Sequence, residues 1–205
     1  MTALGQQMKV LTVILLSLIF FGPSVAADGP CVIPGRGHFY IHTGTSGLFG
    51  AFAHEHLIEA QNVEGCAVID SNDLTHSSIK LSFATADIHV LDPKESAKDR
   101  AKVQSTMETE VLRISENRQI VFESTSVERG STADILRLHG NLTIRGNTQA
   151  IIVPVTLMRL EEGTYRARGE YKFKQTTFGI RPVQLAGGTI KVKDEVQTDF
   201  ELFLK

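Results

Sequence analysis

The side chains of this 205-residue chain best placed to do chemistry are two histidines, His54 and His56, in the run Ala53-His54-Glu55-His56. On an extended strand, residues i and i+2 project from one face, so the two imidazoles would stand side by side. Such a pair can bind Zn²⁺ or Cu²⁺ if a third ligand converges on it, and His42 or His38 could serve. Two other readings are polar groups at the mouth of a cavity, hydrogen-bonding the head of a bound molecule, and histidines that simply face solvent. Little else supports catalysis. The sequence has no Gly-x-Ser-x-Gly elbow, no Cys-x-x-Cys and no phosphate-cradling glycine pattern. No nucleophile, base and oxyanion donor can be assembled, so an enzyme is not expected and no cofactor is implied.

The elements that would position these residues are strands. Residues 164–174 alternate cleanly. Tyr165, Ala167, Gly169, Tyr171 and Phe173 fall on one face; Arg166, Arg168, Glu170, Lys172 and Lys174 fall on the other. Period-two alternation of this kind marks a strand with one wet face. The C-terminal run repeats it with Val196, Thr198, Phe200, Leu202 and Leu204. Further extended runs begin at residues 38, 48, 62, 77, 118, 135 and 149, separated by Gly and Asn/Asp turns. Residues 28–37, rich in Gly and Pro, read as a loop, and residues 44–47 as a turn or bulge. Between Asp92 and Thr106 the alternation stops. Asp92 suits an N-cap and Pro93 a first helical turn, so residues 94–112 are expected to form a helical insertion across one end of the body. The fold class that follows is all-β and antiparallel, with about eight strands closing into a barrel or packing as a sandwich.

The interior face of that body collects Phe52, Phe83, Phe122, Leu142, Ile144, Tyr171, Phe173, Phe178 and Phe200. These residues either line a ligand cavity or fill the core with one another. Each buried Phe or Leu contributes about 1.5–3 kcal/mol in both cases.

At the N-terminus, Lys9 precedes an apolar run over residues 10–21, which Gly22-Pro23 breaks. Two small-x-small cleavage sites follow, Ser24-Val25-Ala26 and Val25-Ala26-Ala27, with the cut expected after Ala26 or one residue later. This is the pattern of a cleaved secretory leader over residues 1–26, leaving one domain over 27–205. The run is short for a membrane span, so no stable insertion after cleavage is expected. Export to an oxidising compartment would favour a disulfide between Cys31 and Cys66, with two unpaired thiols as the alternative. The formal net charge of -2 gives no basic surface for nucleic acid. A homodimer is allowed, though no interface can be identified from the sequence.

Four segments in order resemble the YceI-like family. Thr45-Ser46-Gly47-Leu48-Phe49-Gly50 looks like its first hairpin region, and Ile120-Val121-Phe122-Glu123-Ser124 its central strand. Gly140-Asn141-Leu142-Thr143-Ile144-Arg145-Gly146-Asn147-Thr148 is similar to its Gly-x-Leu-Thr turn. Gly187-Gly188-Thr189-Ile190 resembles its closing hairpin. The resemblance implies an extended lipocalin-like barrel of the bacterial envelope, here periplasmic. It further implies a lipophilic tunnel for a polyisoprenoid, isoprenoid quinone or fatty-chain amphiphile. His54-Glu55-His56 departs from the family's usual apolar and small residues at that place.

Overall fold

The computed structural model describes residues 29–47, 55–132, 134–185 and 190–205. The expected leader, Phe52 and His54 lie outside the described residues. The described chain forms β1 (Val32–Gly47), β2 (Glu55–Ala60), β3 (Glu64–Val68), β4 (Ser78–Ala84) and β5 (Ile88–Val90). A helix, α1 (Ala97–Thr106), runs directly into a π-helical turn, Met107–Leu112. There follow β6 (Gln119–Arg129), β7 (Ile135–Ile144), β8 (Asn147–Arg159), β9 (Tyr165–Lys174), β10 (Gln184–Leu185) and β11 (Ile190–Leu204).

All strands belong to one strongly curled antiparallel sheet in the order β3-β4-β6-β7-β8-β9-β11-β1-β2-β5, with β10 beside β11. The fold is the lipocalin-like barrel expected, with a helical insertion at the expected place. The excess over about eight strands comes from short pieces such as β5 and β10.

The sheet returns to its own start through β1. One edge of β1 follows β11 along its length, while the other pairs with β2. Just before β1, Cys31 exchanges backbone hydrogen bonds with Lys205 at 2.8 and 2.9 Å and forms an antiparallel bridge with Cys66 of β3. Ala67 N–H also donates to Pro30 at 2.9 Å. The terminal strand β3 is therefore tied to the strand at the other side of the seam, and a Cys31–Cys66 disulfide locks the junction.

Alternation sets which side chains face inward. Ile151, Val153 and Val155 of β8 are buried, as are Val196, Thr198, Leu202 and Leu204 of β11. The outward residues of neighbouring strands pair by charge, with Arg168 against Glu201 and Lys172 against Glu195. Among the described residues, no helix is long and apolar enough to cross a membrane.

Three local expectations are corrected. Residues 32–37 are strand rather than loop, because they pair with β11 across a register shift between Val32 and Gly37. Gly37 makes that approach feasible: its φ is +96°, and a Cβ there would lie 2.0 Å from Glu201 O. Residues 77–90 are two strands rather than one. A 3₁₀ turn at Thr85–Asp87 breaks them, with Thr85 Oγ1 donating to Asn117 O at 2.7 Å. Asp92 does not cap the helix. Ser96 does, its Oγ accepting from Asp99 N–H at 3.1 Å.

The disulfide closes a loop of 35 residues, and chain-entropy reasoning assigns such a crosslink about 2–4 kcal/mol. Cys66→Ser, or reduction of the native protein, is expected to lower the thermal midpoint in step with that loss. Equal midpoints for oxidised and reduced protein in calorimetry would refute a stabilising role for the seam.

Candidate functional site

The inward faces of the strands meet only in part, as where Phe39 of β1 touches Phe83 of β4. They leave an inner cavity of about 140 Å³ and, toward the helix, an outer one of about 290 Å³. Ile41, Ile88, Ile120, Ile144 and Phe173 belong to the walls of both, so the two adjoin end to end as a tunnel narrowed by these side chains. Its size falls toward the lower end of the roughly 300–1,000 Å³ usual for small-ligand sites.

The inner compartment is almost wholly apolar. Phe39, Phe83, Phe122, Leu138, Leu142, Tyr171 and Phe200 form much of its wall. The hydroxyl of Thr198 is also there, but it donates to the Tyr171 backbone at 3.2 Å. Burial pushes the Tyr171 phenol above its ordinary pKa, which favours its neutral form against this wall. Such a surface offers little to hold water, and apolar cavities of about this size stay dry and admit hydrocarbon.

Two glycines shape the wall. A Cβ on Gly140 would lie 2.6 Å from the Phe122 ring, and one on Gly169 would lie 2.6 Å from both Phe200 Cζ and Pro154 O. Both rings therefore press against a glycine on the neighbouring strand, where β6 meets β7 and β11 meets β9. Phe200 in turn stacks on Phe39 at 5.4 Å, and Phe39 meets Phe83 edge-on at 4.8 Å.

The outer compartment has a mixed lining. Val103, Thr106, Met107, Val111 and Leu112 come from the helical insertion, together with Asp99 and Lys102. The barrel contributes Thr43, His56 and Gln175. The helix is held across this end by a single amide. Gln104 Oε1 accepts from Val90 N–H at 2.8 Å, and its Nε2 donates to Ile88 O at 2.9 Å. It thus pairs with the free edge of β5 as another strand would. Within Ala97–Thr106 no residue is buried; the anchors are Met107 and Leu112 in the π turn.

Of the pair His54 and His56, His56 lies among the described residues. Its Nδ1 lies 2.6 Å from Asp92 Oδ2, and Asp92 Oδ1 accepts from Leu57 N–H at 2.7 Å. The Asp92 carboxylate is buried, and turning inward satisfies a strand-edge donor where the chain leaves the ladder. This explains why Asp92 is not available as a helix cap. His38 and His42 point the other way. They stand on the outer face of β1 and both reach Asp199, His42 at 2.6 Å and His38 at 3.4 Å. They cannot supply a third ligand to His56. Among the described residues, no group of three or more His, Cys, Asp or Glu is arranged to hold a metal ion.

Of the apolar residues singled out in the sequence, Phe83, Phe122, Leu142, Ile144, Tyr171, Phe173 and Phe200 line the tunnel. Phe178 does not: fully buried, it packs behind the wall with Ile144 and Ile180 and meets Phe173 edge-on at 5.4 Å. Phe39, Ile41 and Thr43 were missed, although their alternation with His38, Tyr40 and His42 was legible. Asp92 was misread, since no local pattern shows a side chain reaching back 35 positions to Leu57 N–H.

Residues 37–204 match the YceI-like domain family. No curated protein matches the chain. The fold is shared with BcnA of Burkholderia cenocepacia, at 16% identity and a TM-score of 0.65, over 84% of this chain and 98% of that one. A polyisoprenoid binding domain from Saccharophagus degradans, implicated in plant cell wall breakdown, aligns at 11% identity and a TM-score of 0.61, over 86% and 98%. The Campylobacter jejuni YceI protein aligns at 12% identity and a TM-score of 0.54, over 71% and 82%.

Gly169→Ala is expected to destabilise the protein by about 1–3 kcal/mol, since both a ring and a backbone oxygen occupy the space of the new methyl group. Adding Phe200→Leu should recover part of that loss in urea titrations. An alanine variant as stable as the parent would show that the wall yields more easily than the geometry implies.

Proposed function

From its membership of the YceI-like domain family, to which this chain belongs, we propose that the protein is an exported carrier that holds one long apolar molecule in its barrel. The ligand classes are polyisoprenoids, isoprenoid quinones and fatty-chain amphiphiles. One observation carries the reading: the inward faces leave two adjoining, largely apolar cavities along the barrel interior. A relative of the same fold is described as a polyisoprenoid binding domain.

Binding works by burial. Each methylene moved from water to the tunnel is worth about 0.8 kcal/mol, so ten of them supply about 8 kcal/mol, in the range of micromolar affinity. No covalent step is involved. Phe83, Phe122, Leu142, Ile144, Tyr171, Phe173 and Phe200 make the contact surface, and Phe178 holds Phe173 in place from behind.

An oxidising, periplasmic setting is supported by the leader pattern and by the Cys31–Cys66 disulfide. The charged outer strands suit water outside the barrel and hydrocarbon inside it. The proposed domain occupies residues 27–205, with the leader removed before them.

The direct experiment is native mass spectrometry of the mature protein purified from its own envelope, followed by organic extraction. A discrete added mass that extracts as a lipid is the expected result. Protein that arrives empty and also takes up no hydrophobic fluorescent probe would refute the carrier reading. Ile120 lies at the junction of the two compartments, so Ile120→Trp is expected to weaken probe uptake by about tenfold or more. Folding of that variant is checked by its far-ultraviolet circular dichroism.

A further inference from the structure

We propose that the outer compartment selects a neutral head group carrying a hydroxyl or N–H proton, held between His56 and Thr43; this rests on the apolar-ligand reading above. The first observation is the orientation of His56. Its partner Asp92 is 4% exposed and receives Leu57 N–H at 2.7 Å and the His56 ring at 2.6 Å. A carboxylate only accepts, so the imidazole donates through Nδ1–H. In the neutral ring Nε2 then keeps its lone pair, and it is the remaining polar atom of a side chain that lines the tunnel. The Asp92–His56 pair thus fixes the tautomer, so that whenever the ring is neutral its free nitrogen is an acceptor.

The second observation is independent. Thr43 lies opposite His56 in the β1–β2 register, so both side chains share the inward face. Thr43 Oγ1 is buried and has no hydrogen-bond partner among the described residues. A buried hydroxyl left unpaired is destabilising and calls for a partner. A ligand hydroxyl answers both sites at once, donating to His56 Nε2 and accepting from Thr43 Oγ1. A primary amide does the same with N–H and C=O. An ester or ether can accept but leaves His56 Nε2 without a donor.

Charge at the mouth also favours a neutral head. Asp99 and Lys102 of α1 line the same compartment with opposite signs. An anionic head would meet Lys102 but also Asp99 and the acceptor edge of His56.

The test uses three probes with one tail: geranylgeraniol, its acetate and its monophosphate. Their affinities are measured on the delipidated full-length mature protein and on Thr43→Val and His56→Phe. The expected result is an alcohol bound about tenfold or more tighter than the acetate, with that ratio falling toward one in both variants. Equal, measurable binding of alcohol and acetate by the parent protein overturns the head-group inference and leaves the carrier reading standing. Tighter binding of the monophosphate than of the alcohol overturns it in favour of selection by Lys102. An unchanged ratio in the folded variants overturns the assignment to these two residues; should either variant fail to fold, Thr43→Ser and the parent ratio decide. If none of the three probes binds while a hydrophobic fluorescent probe is taken up, this inference falls and the carrier reading stands; if that probe is excluded too, both fall.

Discussion

The architecture depends on a short piece of backbone at Cys31, wedged between the end of β11 and the middle of β3. An antiparallel sheet of this length carries two unpaired edges, and an open edge is both unsatisfied and prone to pair with another chain. Here the first edge is taken up at the Cys31 bridge. The other, at β5, is met by the Gln104 amide. Curling to reach Cys31 gives the sheet an inside, and having an inside makes period-two alternation meaningful. Along β7 to β9 and β11, and on either side of the β6 bulge, alternate residues are committed to the enclosed space and their neighbours to the exterior.

That enclosed space is underfilled in a specific way. Phe39 and Phe83 touch edge-on, but Phe122 and Phe200 press against Gly140 and Gly169 on adjacent strands. Aromatic area lines the wall while the axis stays open. A void has a cost. At about 24 cal/mol per Å³, the inner compartment of 140 Å³ forfeits about 3 kcal/mol relative to a filled core. A ligand that fills it returns contacts of that size without new interactions on the outside. The disulfide and the ladder at the seam are of the same order, so the barrel can tolerate an open interior.

Much of this was legible because alternation is a local signal with a global meaning. The inward sets of β9 and β11 could be written from the sequence, and they are the inward sets observed. Elsewhere long-range pairing overrode local composition. Gly and Pro at residues 34–37 look like a loop, yet β11 accepts them as strand through a bulge. Phe178 looks like a wall residue because it is aromatic and near the right strand. It sits in a 3₁₀ turn after β9, however, where strand parity no longer applies. Asp92 looked like a cap because Asp-Pro commonly is one, but the unsatisfied Leu57 N–H that claims it belongs to another strand. Each miss has the same origin: the competing partner lies far away in sequence.

The parity of β1 also removes His38 and His42 as partners for His56. His38 and His42 share a face with one another and with Asp199, and that face is outside. Thr43 is one residue on and therefore inside, opposite His56. A metal site drawing on His42 and His56 would need ligands from both sides of one sheet, which no side-chain rotation provides. The polar groups inside are instead few, clustered at the helix-covered end, and partly held by buried partners. Deeper in, the wall gives a polar group nothing to bond. A molecule with one polar end and a long apolar remainder can satisfy both regions in only one direction, head toward α1 and tail toward Phe39 and Phe83. For a ligand of the proposed class, selectivity would follow from the unequal division of polar atoms along the tunnel, since a reversed molecule would leave its head unpaired in hydrocarbon and Thr43 still without a partner.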